Sequence, residues 1–99
     1  MPKKLKNLVV QKMLAIPKIR AEMQIFVDEE LMPMHQIETS WKLRSLNRRW
    51  QITFSQKAFD LFNQVCKVIE TDPKFKLPWT NHEVNIAIDY VTKLDLHAS

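Results

Sequence analysis

The clearest hydrophobic pattern in the chain runs from residue 56 to residue 70, where apolar and polar side chains separate at about 100° per residue. The apolar half of this helical wheel contains Ala58, Phe59, Leu61, Phe62, Val65, Cys66, Val68 and Ile69. A face this wide covers more than one neighbouring element, so the pattern predicts a central helix. Ser55 is its expected N-cap, Phe54 and Phe59 have the spacing of a hydrophobic staple, and Pro73 ends the helix.

A second helix is predicted to begin after Thr80, which has the spacing of a capping box with Glu83. It extends to about residue 94, and its apolar face contains Val84, Ala87, Ile88 and Val91. Ile86 and Tyr90, four residues apart, lie on a different side of this helix. We expect these two side chains to pack against the preceding connector or the first helix, and a self-association patch is the alternative.

Residues 41–54 fit a β-hairpin in which 41–46 and 49–54 flank the dipeptide Asn47-Arg48. This register sets Leu43 opposite Ile52 and Trp41 opposite Phe54. One face of the hairpin then carries Trp41, Leu43, Trp50, Ile52 and Phe54. The other face carries Lys42, Arg44, Arg49, Gln51 and Thr53. The alternation therefore predicts an apolar face against the helices and a basic face toward solvent.

Two features of residues 41–54 weigh against that hairpin. A two-residue turn requires positive φ at both central residues, and Arg48 is a poor substitute for glycine there, which a longer loop with the same faces would relieve. A competing helix would align Leu43, Leu46 and Trp50, but it leaves Trp41 and Ile52 unexplained. We favour the hairpin.

The first 38 residues are less clearly patterned. An N-terminal helix would align Leu5, Leu8, Val9, Met13 and Ile16, with Val10 and Leu14 outside that stripe. Met23, Ile25 and Val27 alternate as in a third strand beside the hairpin, although a helix through Ile19, Met23 and Phe26 is also compatible. We therefore expect a single domain, residues 1–99, of the α+β class, and an all-α bundle is the alternative.

Charge is segregated along the chain, whose formal net charge is +4. Residues 1–21 contain six bases and no acid, residues 22–40 contain five acids and no base, and residues 41–57 contain five bases and no acid. Two acid-free basic blocks in one small domain favour a polyanionic partner, such as nucleic acid or an anionic membrane surface. The alternative is that the acids, including Asp28, Glu29 and Glu30, neutralise a basic block within the fold.

The residues needed for the common catalytic and cofactor motifs are absent or scattered. The chain has no glycine, which excludes glycine-rich phosphate loops and dinucleotide fingerprints. His35, His82 and His97 lie in separate segments without metal-ligand spacing. Cys66 lies on the apolar face of the central helix, where an inert buried thiol is expected. We predict neither an enzyme nor a cofactor or metal site, and no motif is specific enough to name a family.

We therefore predict a small nucleic-acid-binding protein of regulatory or accessory type, intracellular in a reducing compartment and in some form a homodimer. The predicted phosphate-binding residues are Lys42, Arg44, Arg48 and Arg49, with Lys3, Lys4 and Lys6 as secondary contacts. A membrane partner is not expected, because the moment of the N-terminal helix is weak. The alternative function is a protein-interaction module, an inhibitor or small subunit, that binds an acidic protein through an exposed Trp79, Ile86 or Tyr90.

Overall fold

The computed structural model describes residues 3–27, 39–45, 47–75 and 78–98. Its elements, in chain order, are α1 (Lys3–Leu14), α2 (Pro17–Arg20), β1 (Met23–Val27), β2 (Ser40–Ser45), β3 (Arg48–Phe54), α3 (Gln56–Thr71) and α4 (Asn81–Ala98). The three strands form one antiparallel sheet in the order β1-β3-β2. The predicted α+β class is confirmed, and the all-α alternative is wrong because residues 40–54 form strands.

The hairpin is confirmed, but its predicted register is wrong by two residues. Leu43 pairs with Trp50 rather than with Ile52, and the last pair is Ser45 with Arg48. The turn therefore lies at residues 46–47, and Asn47 adopts a left-handed φ of 62°. Asparagine tolerates this conformation better than arginine does, which explains why Arg48 is inside β3 and not in the turn. Because the shift is even, the two faces of the hairpin keep their predicted residues.

The third strand predicted beside the hairpin is also confirmed. In β1, Met23 pairs with Phe54, Ile25 with Ile52 and Val27 with Trp50. The competing helix through these residues is wrong, since the helical segment there is only α2, which begins at Pro17. The acidic residues and methionines between β1 and β2 lie outside the described residues.

The core lies between the helices and one face of the sheet, and Phe62 of α3 is at its aromatic centre. Phe62 is 1% exposed, and its ring centroid is 5.3 Å from that of Phe54, 5.9 Å from Trp41 and 6.1 Å from Phe59. The α3 face predicted from the wheel is confirmed. In α1, Val10 was expected outside the apolar stripe but is fully buried, because α1 contacts both α3 and α4.

Both predicted helix starts have the expected local contacts. The backbone N–H of Ala58 donates to Ser55 Oγ at 3.1 Å, and the rings of Phe54 and Phe59 lie 5.8 Å apart as a hydrophobic staple. At α4, the Thr80 backbone N–H donates to the Glu83 carboxylate at 3.1 Å, and the Thr80 hydroxyl also donates to it. These hydrogen bonds lower the pKa of Glu83, the side-chain bond from Thr80 most strongly.

Candidate nucleic-acid interface

The predicted basic residues of the hairpin are all exposed. Lys42 and Arg44 project from β2, which is an edge strand, while Arg48 and Arg49 begin β3 next to the turn. Lys42 lies opposite Gln51 and Arg44 lies opposite Arg49. The cationic groups are therefore concentrated toward the turn end of the hairpin.

The register places the arginines on both faces of the hairpin, which the single basic face expected from the sequence did not include. Arg44 and Arg49 share the face opposite the helices. Arg48 has the parity of Trp50 and Ile52, so it belongs to the helix-facing side, beyond the point where the core ends. The basic surface is thus the end of the ribbon, with Arg48 on one side and the Arg44–Arg49 pair on the other.

Electrostatically, this end of the ribbon has an excess of positive charge. Among the described residues, no ion pair or hydrogen bond joins Lys42, Arg44 or Arg48 to a carboxylate. Arg49 does have an interaction within the chain. Like charges directly opposite each other on antiparallel strands are unfavourable, so the Arg44–Arg49 pair raises the local affinity for an anion. Whether Asp28, Glu29 and Glu30 approach the hairpin lies outside the described residues.

The base of the hairpin is fixed to the helices through Trp41. Its indole Nε1–H donates to Asn7 Oδ1 at 2.8 Å, and its ring packs on Phe62. Lys6 Nζ lies 5.0 Å from the centroid of the Trp41 ring, which is cation–π distance. The sequence did not identify Asn7, because a lone polar residue in an amphipathic helix is normally solvent-facing.

The three lysines of α1 have different surroundings. Lys3 and Lys4 are exposed in the first turn of the helix. Lys6 is half-buried and engaged with Trp41, so it is less suited to phosphate contact than the other two. The sequence treated these lysines as one group.

The centre of the sheet face opposite the helices is less polar in character than predicted. Gln51 was expected to face solvent but is 0% exposed. It lies on the middle strand, flanked by Phe26 of β1 and Lys42 of β2, and this double flanking distinguishes it from Arg44 and Arg49. Its side-chain amide has no hydrogen-bond partner in the described part of the chain.

The residues predicted for protein interaction do not form one surface of uniform exposure. Ile86 and Tyr90 are 38% and 40% exposed, so the expectation that they pack away is wrong for most of their surface. Lys74 Nζ lies 4.9 Å from the Tyr90 ring centroid, which is the one printed contact with the connector. Trp79 was expected to be exposed but is half-buried against the core.

The remaining candidate chemistry is muted in the structure. Cys66 is fully buried, and this burial raises the pKa of its thiol from 9.0 to about 12. His82 is exposed in the first turn of α4. Over the described ranges, no three histidine, cysteine or acidic side chains are grouped as metal ligands.

A search of the described helices finds none with the length and apolar character needed to cross a bilayer. No protein-family model matches the chain, and no curated protein or solved structure matches it significantly.

Proposed function

We propose that this protein binds nucleic acid and that the turn end of its β2–β3 hairpin contacts the phosphates. The proposal is supported above all by Lys42, Arg44 and Arg48, which are exposed and have no carboxylate partner among the described residues. Such cations contribute sequence-independent affinity by releasing counterions from the nucleic acid backbone. No catalytic role is part of this proposal.

The shape of the hairpin favours insertion into a groove. Its two strands are separated by about 4.8 Å, and the major groove of B-DNA is about 12 Å wide and admits a two-stranded ribbon. Arginines on both faces of the ribbon end could then reach the phosphates on both sides of the groove. Arginine suits this position because its guanidinium group binds phosphate in a bidentate manner.

Anchoring of the hairpin also supports the proposal. The hydrogen bond from Trp41 to Asn7 and the contact of Trp41 with Phe62 hold β2 against the helical layer. A ribbon with a fixed base loses less conformational entropy on binding than a free loop does. The cations near the turn therefore project from a supported element.

The test compares two triple variants that have the same net charge. In the hairpin variant, Lys42, Arg44 and Arg48 are changed to Gln. In the control variant, the exposed residues Lys18, Lys67 and Lys93 are changed to Gln. Both variants lower the formal charge from +4 to +1, so they differ only in where the charge is lost.

Binding is measured by fluorescence anisotropy with labelled duplex DNA, single-stranded DNA and duplex RNA at low and moderate salt. We expect the hairpin variant to lose at least tenfold in affinity for one class of nucleic acid and the control to lose less than threefold. Equal losses in the two variants would show that net charge alone drives binding. Absence of binding by the unmodified protein at low salt would refute the proposal.

A second candidate function is a protein-interaction module, which the exposure of Ile86 and Tyr90 favours. Large apolar side chains at such positions are frequent anchors in protein interfaces. Absorbance of the purified protein helps to separate the two candidates, because co-purifying nucleic acid raises the 260/280 nm ratio. A low ratio, no binding at low salt and association that is lost in Ile86→Ser/Tyr90→Ser would favour this alternative.

A further inference from the structure

An open cleft separates α1 from the segment that precedes α4. Its volume is about 470 Å³, within the range of roughly 300–1,000 Å³ that is usual for small-molecule sites. Lys4, Leu8 and Gln11 line it from one face of α1, since they are spaced four and three residues apart. The other lining residues are Leu5, Asn7, Pro78 and Trp79.

The apolar part of the cleft is formed by leucine, proline and indole groups. Leu5 is buried, while Leu8 and Trp79 are half-buried, so the cleft is bounded by side chains that also pack on the core. This arrangement fixes the walls of the cleft, because moving them would disturb the core packing.

The polar groups available at the cleft are hydrogen-bond donors. The Trp79 indole N–H is buried and has no acceptor among the described residues. Asn7 already uses its Oδ1 to accept from Trp41, which leaves its amide NH₂ as the free group. Lys4 adds an exposed ammonium group, and none of the described lining residues is acidic.

We propose that this cleft binds a small amphipathic carboxylate. The hydrocarbon part of the ligand packs against Leu8 and Trp79, and its carboxylate accepts hydrogen bonds from the Trp79 indole N–H and the Lys4 ammonium group. Such a ligand would satisfy the buried indole donor, which otherwise costs free energy in the unliganded protein. An amphipathic cation does not fit, because it would bring its charge toward Lys4 and supply no acceptor.

The binding test uses octanoate, octanol and octylammonium, which share one hydrocarbon chain and differ in the head group. Each is titrated below its aggregation concentration into ¹⁵N-labelled protein, and the Trp79 indole resonance is assigned with Trp79→Phe. We expect a saturable shift of that resonance with octanoate, about tenfold weaker binding of octanol and no saturable binding of octylammonium.

Two variants examine the proposed contacts. Trp79→Phe keeps an aromatic wall and removes the N–H, so octanoate binding should weaken about tenfold while octanol binding changes less than twofold. Lys4→Gln should weaken octanoate about threefold and leave octanol unchanged, because Lys4 is solvent-exposed. Lys18→Gln, on α2 and outside the cleft, is the control for net charge and should change neither.

The proposal is overturned if octanoate and octanol bind equally well, or if the Trp79 indole resonance does not shift in a saturable way. It is also overturned if Lys18→Gln weakens octanoate as much as Lys4→Gln does. These results do not depend on the hairpin, so nucleic-acid binding and ligand binding can fail independently.

Discussion

The hydrogen bond between Trp41 and Asn7 is predicted to be a measurable part of the link between the hairpin and the helices. A double-mutant cycle with Asn7→Ala and Trp41→Phe isolates it. Asn7→Ala removes the acceptor that lies 2.8 Å from the indole nitrogen. Trp41→Phe removes the donor but retains an aromatic ring that can pack on Phe62.

The magnitude follows from the burial of the two groups. A hydrogen bond of this kind contributes about 1 kcal/mol to the free energy of unfolding, and water can partly replace it because Trp41 and Asn7 are only half-buried. We expect Asn7→Ala to cost about 1 kcal/mol. Trp41→Phe should cost about 2 kcal/mol, because a smaller ring also weakens the cation–π contact with Lys6.

The assay is urea unfolding followed by far-UV circular dichroism, with each variant checked for an unchanged m-value. The coupling energy of the cycle should be about 1 kcal/mol. A coupling energy below about 0.3 kcal/mol, which is the usual limit of additivity, would show that the bond does not anchor the hairpin.

Three further predictions concern other parts of the chain. Asn47→Ala should lower the free energy of unfolding by about 1 kcal/mol because of the left-handed φ, whereas Asn47→Gly should not; equal losses in urea unfolding would contradict this. Cys66 should resist alkylation by iodoacetamide in the native protein at mildly alkaline pH and react after denaturation, since burial raises its pKa to about 12; rapid native labelling, measured by mass spectrometry, would refute it. The stabilisation by the Glu83 carboxylate, whose pKa is lowered in the folded state, should be fully present above pH 4.5 and lost as the pH falls through that lowered pKa. The difference in thermal stability between Glu83→Gln and the unmodified protein should therefore disappear in acid, and a pH-independent difference would contradict the assignment.

The sequence predicted the elements that depend on local signals. Helix α3 has a wide apolar face, a capping serine and a terminating proline, and all three act within a few residues of the backbone that they control. The alternation of residues 23–27 also sufficed to predict β1. Such signals require no knowledge of the tertiary neighbours.

The features that were missed depend on partners that are distant in the chain. The hairpin register depends on which residue takes the left-handed conformation, and Asn47 was a better candidate than the symmetric placement of the turn allowed. The burial of Gln51 requires knowledge that β3 is the middle strand. The cleft beside Trp79 requires α1 and the segment before α4 to meet, and no periodicity within either element indicates it.

The most direct test of the central claim is the salt dependence of nucleic-acid binding by Arg44→Ala/Arg48→Ala, with Lys67→Ala/Lys93→Ala as the charge-matched control. If each arginine contacts one phosphate of duplex DNA, the slope of log K against log salt concentration should become shallower by about 1.8. The control slope should be unchanged. An identical slope in the hairpin variant and the unmodified protein would contradict the claim that the end of the hairpin binds the phosphates.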